Sequence, residues 1–192
     1  MVGAKEAAVP FFAYYPTLLP HGPVRPTPHS VTDPGDTSNP ESRLFIDMIQ
    51  YLDTIVGKLV DALVANELRD NTVVMFTSDN GPVGYGPGGG GKGRTTHAGT
   101  HVPLIVNCPG IVSDGFVSGN LVDFSDFLPT IADIGQAAQP SNMVLDGRSF
   151  WPECRGELKC PDRGSSSSTT LRRLGFKGWT AWCRGGRLLA LP

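Results

Sequence analysis

Asp79 and Asn80 stand where an apolar run breaks into a glycine-rich loop. A carboxylate beside a carboxamide offers two hard oxygen ligands, a set suited to calcium or magnesium. In open α/β sheets, ligands collect at the carboxyl ends of strands, which is where this pair falls. A plain turn is the commoner meaning of Asp79-Asn80-Gly81 taken alone. Farther on, Gly86-Pro87-Gly88-Gly89-Gly90-Gly91-Lys92-Gly93 nearly matches the phosphate-binding G-x-x-x-x-G-K-[ST]. Gly93 removes the magnesium-binding hydroxyl, and Thr95 to Gly99 is not expected to open the helix that such a loop needs. The nucleotide reading is therefore weak. Lys92 remains notable: glycine permits close backbone approach, and a lysine delivered there can meet a tetrahedral oxyanion. His97 and His101 have H-x-x-x-H spacing. A zinc protease site needs a glutamate after the first histidine and a helix beneath both. Ala98 fills the first position and Gly99 disfavours the second, so zinc is rejected. His21 follows an aromatic run in Leu19-Pro20-His21-Gly22-Pro23. A lone histidine in a Pro-rich loop is more often a local hydrogen-bonding residue, but a place past a strand end favours function.

These residues need elements to hold them. Phe11-Phe12-Ala13-Tyr14-Tyr15 is rich in strand formers and closed by Pro16. Residues 20–40 are dense in Pro, Asp, Ser and Thr and read as a surface loop. Asn39 then caps a helix whose first position is Pro40. Phe45, Met48, Ile49, Leu52, Ile55, Val56, Leu59, Val60 and Leu63 recur at three- and four-residue steps, which predicts an amphipathic helix ending near Asn66. Thr72 to Thr77 is a continuous β-prone run, suited to a parallel strand covered on both faces. A further strand is expected from His101 to Val106, and a helix follows within 120–135, stopped by Gly135. This order predicts an α/β fold with helices on both faces of a sheet.

Composition narrows the function classes. The 192 residues carry a formal net charge of -2, which leaves no electrostatic footprint for nucleic acid. No apolar run approaches the ~20 residues of a membrane span. Gly and Pro number 24 and 17, so function is expected on loops. Cys108, Cys154, Cys160 and Cys183 form no C-x-x-C and no disulfide framework. Met1 to Glu6 holds no apolar signal core, so the compartment stays unknown: either the chain is cytoplasmic or its true N-terminus is absent.

Taken together, the fragments resemble the sulfatases, a family within the alkaline-phosphatase-like superfamily. Pro10 to Pro16 with Leu19-Pro20-His21-Gly22-Pro23 looks like the family segment bearing a substrate-contacting histidine. Phe76-Thr77-Ser78-Asp79-Asn80-Gly81, Gly91-Lys92-Gly93 and His101 to Val106 resemble its metal-ligand strand, sulfate-contacting lysine and following strand. Asp126-Phe127-Leu128-Pro129-Thr130 and Leu145-Asp146-Gly147-Arg148-Ser149-Phe150 look like later family blocks. The likeness is collinear over about residues 8–157.

The resemblance implies hydrolysis of a sulfate ester substrate. Asp79 and Asn80 would belong to a Ca2+ shell, Lys92 would bind a sulfate oxygen, and His21 would contact sulfate and protonate the leaving alcohol. The departures are equally informative. The family's formylglycine arises from C/S-x-P-S-R, and no cysteine here has that context. Ser38-Asn39-Pro40-Glu41-Ser42-Arg43 is one residue too long. The family's early paired aspartates are also missing, so the calcium site is incomplete and the chain alone is expected to be inactive. His97 and His101 stand where many sulfatases carry Glu and Arg, and neither inherits a role. Two rivals remain: a phosphate-ester hydrolase of the same superfamily, and a catalytically dead module binding sulfated glycans.

Residues 1–156 are thus expected to form the C-terminal part of a sulfatase catalytic domain, with a partial sheet. Residues 157–192 differ: Ser165 to Ser168 is a homopolymer, arginines follow, and no periodicity survives. This tail is expected to be disordered or translated out of frame, alternatives that the nucleotide sequence separates. Phe11 to Tyr15, Thr72 to Thr77 and Pro103 to Val106 are expected in one mixed or parallel sheet. His21, Asp79, Asn80 and Lys92 are expected to converge at one end of it.

Overall fold

The computed structural model describes residues 1–30, 40–84, 90–112, 115–139, 142–157, 182–184 and 187–189. The chain is of the mixed α/β class. Helix α1 spans Val2–Glu6 and helix α2 spans Pro40–Ala65. Strand β1 is Val74–Thr77, helix α3 is His97–Thr100 and strand β2 is Leu104–Asn107. Helix α4 covers Phe127–Ile134 after a 3-10 turn at Phe124–Asp126, and α5 covers Trp151–Cys154. Strands β3 (Trp182–Arg184) and β4 (Arg187–Leu189) pair antiparallel, and β4 runs beside α2. Those six residues and Glu157 are the described part of the 157–192 tail; the serine run lies outside the described residues, as does the Asn39 cap.

The long helix forms where its periodicity placed it. Met48, Leu52 and Leu63 are its buried positions and share one stripe. It ends in a Schellman closure without glycine. Glu67 adopts a left-handed φ of 55°, Glu67 N–H donates to Val64 O at 2.9 Å, and Leu68 N–H donates to Leu63 O at 2.9 Å. Lys5 reinforces that end, donating to Asn66 O at 2.7 Å and to Glu67 Oε2 at 2.8 Å. The clasp ties α1 to the exit of α2.

The sheet differs from expectation. β1 and β2 pair antiparallel, with Val74 opposite Asn107 and Thr77 opposite Leu104. The chain leaves β1, makes a local excursion and returns, so no crossover is needed between the two strands. Each of their residues is half-buried, not covered on both faces. Phe11 to Tyr15 is not a strand. No described strand edge lies beside it to accept its backbone hydrogen bonds, and Phe12, Tyr14, Tyr15 and Leu18 are exposed by 69%, 80%, 61% and 88%. Strand propensity reports fit to a neighbouring surface, and among the described residues no strand supplies that surface. The three-strand sheet is therefore not formed, and α2 is not a crossover between parallel strands.

The late blocks build a second packed centre. Asp126 is 1% exposed; its Oδ2 accepts from Asp123 N–H at 2.9 Å and its Oδ1 from Arg148 N–H at 2.7 Å. Thr130, fully buried, donates to Asp126 O at 2.7 Å and accepts from Phe150 N–H at 3.1 Å. Ser149 Oγ donates to Asp133 Oδ2 at 2.6 Å. Phe127 meets Phe150 edge to face at 5.7 Å.

Candidate functional site

Two residues past β1, the chain exits through Asp79 and Asn80. Asp79 is exposed and Asn80 half-buried. In a self-contained turn the Asp79 carboxylate would accept from a nearby backbone N–H. Here Ser78 Oγ donates to Asn80 O at 3.3 Å, and among the described residues the Asp79 carboxylate has no partner.

The glycine loop is pinned beside that exit. Pro82 O accepts from Gly91 N–H at 2.8 Å and from Lys92 N–H at 3.1 Å, and Gly81 N–H donates to Gly99 O at 2.9 Å. Three glycines make this possible. A Cβ on Gly81 or Gly91 would collide with the Ala98 carbonyl, and one on Gly99 with the carbonyls of Gly91 and Arg94. Backbone therefore packs directly on backbone. The two N–H groups spent on Pro82 are unavailable to a phosphate, which excludes a P-loop cradle at Gly91 and Lys92. Residues 85–89 lie outside the described residues.

Lys92 emerges from this knot toward His21, with Nζ 3.0 Å from the histidine Nε2. His21 N–H donates to Leu18 O at 2.8 Å, and its Nδ1 lies 2.7 Å from Gly22 O. A carbonyl only accepts, so Nδ1 carries the proton and the Nε2 lone pair faces the Lys92 ammonium. The structure thus joins His21 and Lys92 directly, and the Pro82 carbonyl sets them near the β1 exit that bears Asp79 and Asn80. It shows no direct contact of Asp79 or Asn80 with either one among the described residues.

His97 and His101 depart from the sequence expectation. Gly99 does not prevent a helix: α3 is one turn, with His101 N–H donating to His97 O at 2.9 Å. Gly99 is there for close packing against Gly91 and Arg94. The two imidazoles lie 4.5 Å apart, tilted by 32°. Burial, and then the charge of His97, holds the His101 imidazole below its ordinary value.

A hard cation of the calcium type suits the oxygen donors of Asp79 and Asn80 in kind. In number they fall short of the about six to eight oxygens calcium takes. No group of three or more His, Cys, Asp or Glu capable of holding a metal occurs among the described residues. Sequence reading missed the Pro82 carbonyl and the Gly81–Gly99 bond that shape the site; the only signals for them were Gly81 and Gly99 themselves.

The chain is similar to known proteins over most of its length. The sequence model of the family described as Sulfatase matches residues 2–137. Mouse (Mus musculus) steryl-sulfatase is 32% identical over 168 residues, which cover 81% of this chain and 26% of that protein. The crystal structure of Ps i-CgsB superposes with a TM-score of 0.64 at 31% identity, covering 72% of this chain and 32% of the other. The structure of BT4656 in complex with D-glucosamine-2-N,6-O-disulfate gives a TM-score of 0.53 at 27% identity, covering 60% of this chain and 23% of the other. The chain spans about a quarter to a third of the length of these relatives. With most of its length matched by the family's sequence model, the chain belongs to the sulfatase family.

Proposed function

We propose that this chain supplies the sulfate-binding side, and part of the calcium shell, of a sulfuric ester hydrolase. The observation that carries the proposal is the 3.0 Å approach of Lys92 Nζ to His21 Nε2, two residues 71 positions apart in sequence. An ammonium beside an imidazole, whose Nε2 becomes a donor once protonated, suits a tetrahedral anion. Sulfatases are generally metal-dependent, and Asp79 and Asn80 are the residues that would hold the ion in this chain. A bound divalent cation would neutralise sulfate oxygens as charge shifts toward the leaving group.

The protein's own groups do the rest. Lys92 donates to a sulfate oxygen and fixes the ester beside the strand end. His21 is oriented by Gly22 O at Nδ1, so Nε2, which accepts from Lys92 here, is the ring atom that would take up a proton and pass it to the leaving oxygen. A sulfate oxygen between the two side chains replaces their mutual hydrogen bond.

The test is a titration of the 192-residue chain with inorganic sulfate and an aryl sulfate, read from the His21 imidazole resonances. Saturable shifts that vanish in Lys92→Ala are expected. A His21 signal that does not move, or that moves equally without Lys92, overturns the proposal. Tighter binding of inorganic phosphate than of sulfate would favour a phosphate-ester hydrolase instead.

A further inference from the structure

The His97–His101 pair is not used by the proposed reaction, and it has the makings of a separate site. A spacing of four places both side chains on one face of a helical turn. The turn is formed, closed by the His101-to-His97 backbone bond. The imidazoles are already neighbours, 4.5 Å apart. A second observation is independent of spacing: His97 Nε2 is buried and, among the described residues, has no hydrogen-bond partner. A buried ring nitrogen left unsatisfied costs free energy, so such atoms ask for an explanation. His101 is exposed, which opens one side of the pair to solvent.

We propose that His97 and His101 form a two-imidazole clamp for a borderline divalent transition-metal ion of the zinc, nickel or copper class. Imidazole nitrogens suit these ions and not calcium, which wants oxygen. The site is unlike the zinc-protease arrangement, because Ala98 supplies no base and no third protein ligand of the His, Cys, Asp or Glu types joins it among the described residues. Water completes the shell, so the ion is exchangeable. The rings lie partly face to face, and ligation needs rotation about χ2, a torsion that is broad for histidine. Ligation also satisfies the stranded His97 nitrogen. Because Gly99 of the same turn holds Gly81 and packs on Gly91, an ion bound here stiffens the knot that presents Lys92.

The experiment uses the 192-residue chain, with nickel chloride and zinc chloride as probes in calorimetric titrations. One saturable site is expected. His101→Ala and His97→Ala should each weaken it by at least the about 10–100-fold that loss of an orienting partner alone costs at a metal site. His29→Ala, which removes an imidazole elsewhere, should leave it unchanged, as should Asp79→Asn. Copper(II) spectra should show coupling to two imidazole nitrogens in the native chain and to one in His101→Ala. Because His97→Ala could unfold the turn, the exposed His101 variant and the copper spectrum decide the matter. Unchanged affinity in His101→Ala, or loss of the site in His29→Ala or Asp79→Asn, overturns the proposal. None of these readouts depends on sulfate binding, so a failed clamp leaves the sulfate proposal standing, and the reverse.

Discussion

Lys92 owes its position to atoms that are not its own. Its side chain has many rotamers, yet its backbone N–H is fixed on Pro82 O, and the knot of Gly81, Gly91 and Gly99 fixes the turn around it. The consequence is testable without touching a charged group. Gly91→Ala must push the Ala98 carbonyl away, so Lys92 should leave His21 while keeping its charge. Sulfate affinity in that variant should approach that of Lys92→Ala, measured by the same imidazole shifts. Native-like affinity would mean that the knot does not position the lysine. Residue type and setting singled out Lys92, His21, Asp79 and Asn80, but their expected roles came only with the family resemblance. Sequence could not show which glycines were needed. A glycine serving close approach reads the same as one serving a turn until the opposing backbone is known.

Elements were legible in proportion to their length. The periodicity of α2 extends over seven turns, and its observed limits, Pro40–Ala65, agree with the expectation. Phe11 to Tyr15 has equal strand chemistry but no partner strand among the described residues, and a strand is defined by pairing. The four residues of α3 carry no periodic signal at all; tertiary packing around Gly99 decides them. The link between the two late family blocks is likewise invisible in sequence, because it runs through side-chain-to-backbone bonds across 22 and 20 positions. Thr130→Val probes that link with little change of shape. It leaves Phe150 N–H unsatisfied in a buried setting, a loss of about 1–3 kcal/mol. A urea melt should show the drop, and an unchanged midpoint would mean that the Thr130 hydroxyl adds nothing to the Asp126–Arg148 and Ser149–Asp133 bonds that also join the two segments. The α1–α2 clasp makes a separate prediction. The Lys5 hydrogen bond, and then its charge, hold the Glu67 carboxyl below its ordinary 4.5. The unfolded chain therefore binds this proton at higher pH than the folded chain does. The contribution is present in full above 4.5 and is lost as pH falls through the folded value. Hydrogen exchange at Ala7 and Val9 should accelerate over that acidic window, and Lys5→Met should abolish the pH dependence.

At the scale of the whole molecule, the question is what 192 residues can do unaided. In the proposed site, Lys92 and His21 would bind the anion, and one strand exit offers two candidate oxygen ligands. Hydrolysis also needs a nucleophile at sulfur, and the sequence contains no C/S-x-P-S-R from which formylglycine could arise. The two free cysteines described do not substitute: burial pushes the thiols of Cys108 and Cys154 upward, away from the reactive thiolate. The proposed metal side would be equally partial. Asp79 and Asn80 would leave about four to six calcium positions to water, and each water retained is a ligand the protein has not pre-organised. Exposure of Asp79 weakens its attraction further, because solvent and salt screen it. Binding and catalysis should therefore separate in this chain. Sulfate should bind through Lys92, calcium should bind weakly, and no aryl sulfate should be hydrolysed. Calorimetry with calcium chloride and release of the aryl alcohol measure the last two directly. Micromolar calcium affinity would show that residues beyond Asp79 and Asn80 complete the shell. Sulfate release that exceeds the blank and disappears in Lys92→Ala would show that another side chain of this chain serves as the nucleophile, and the incomplete-site argument would then fall.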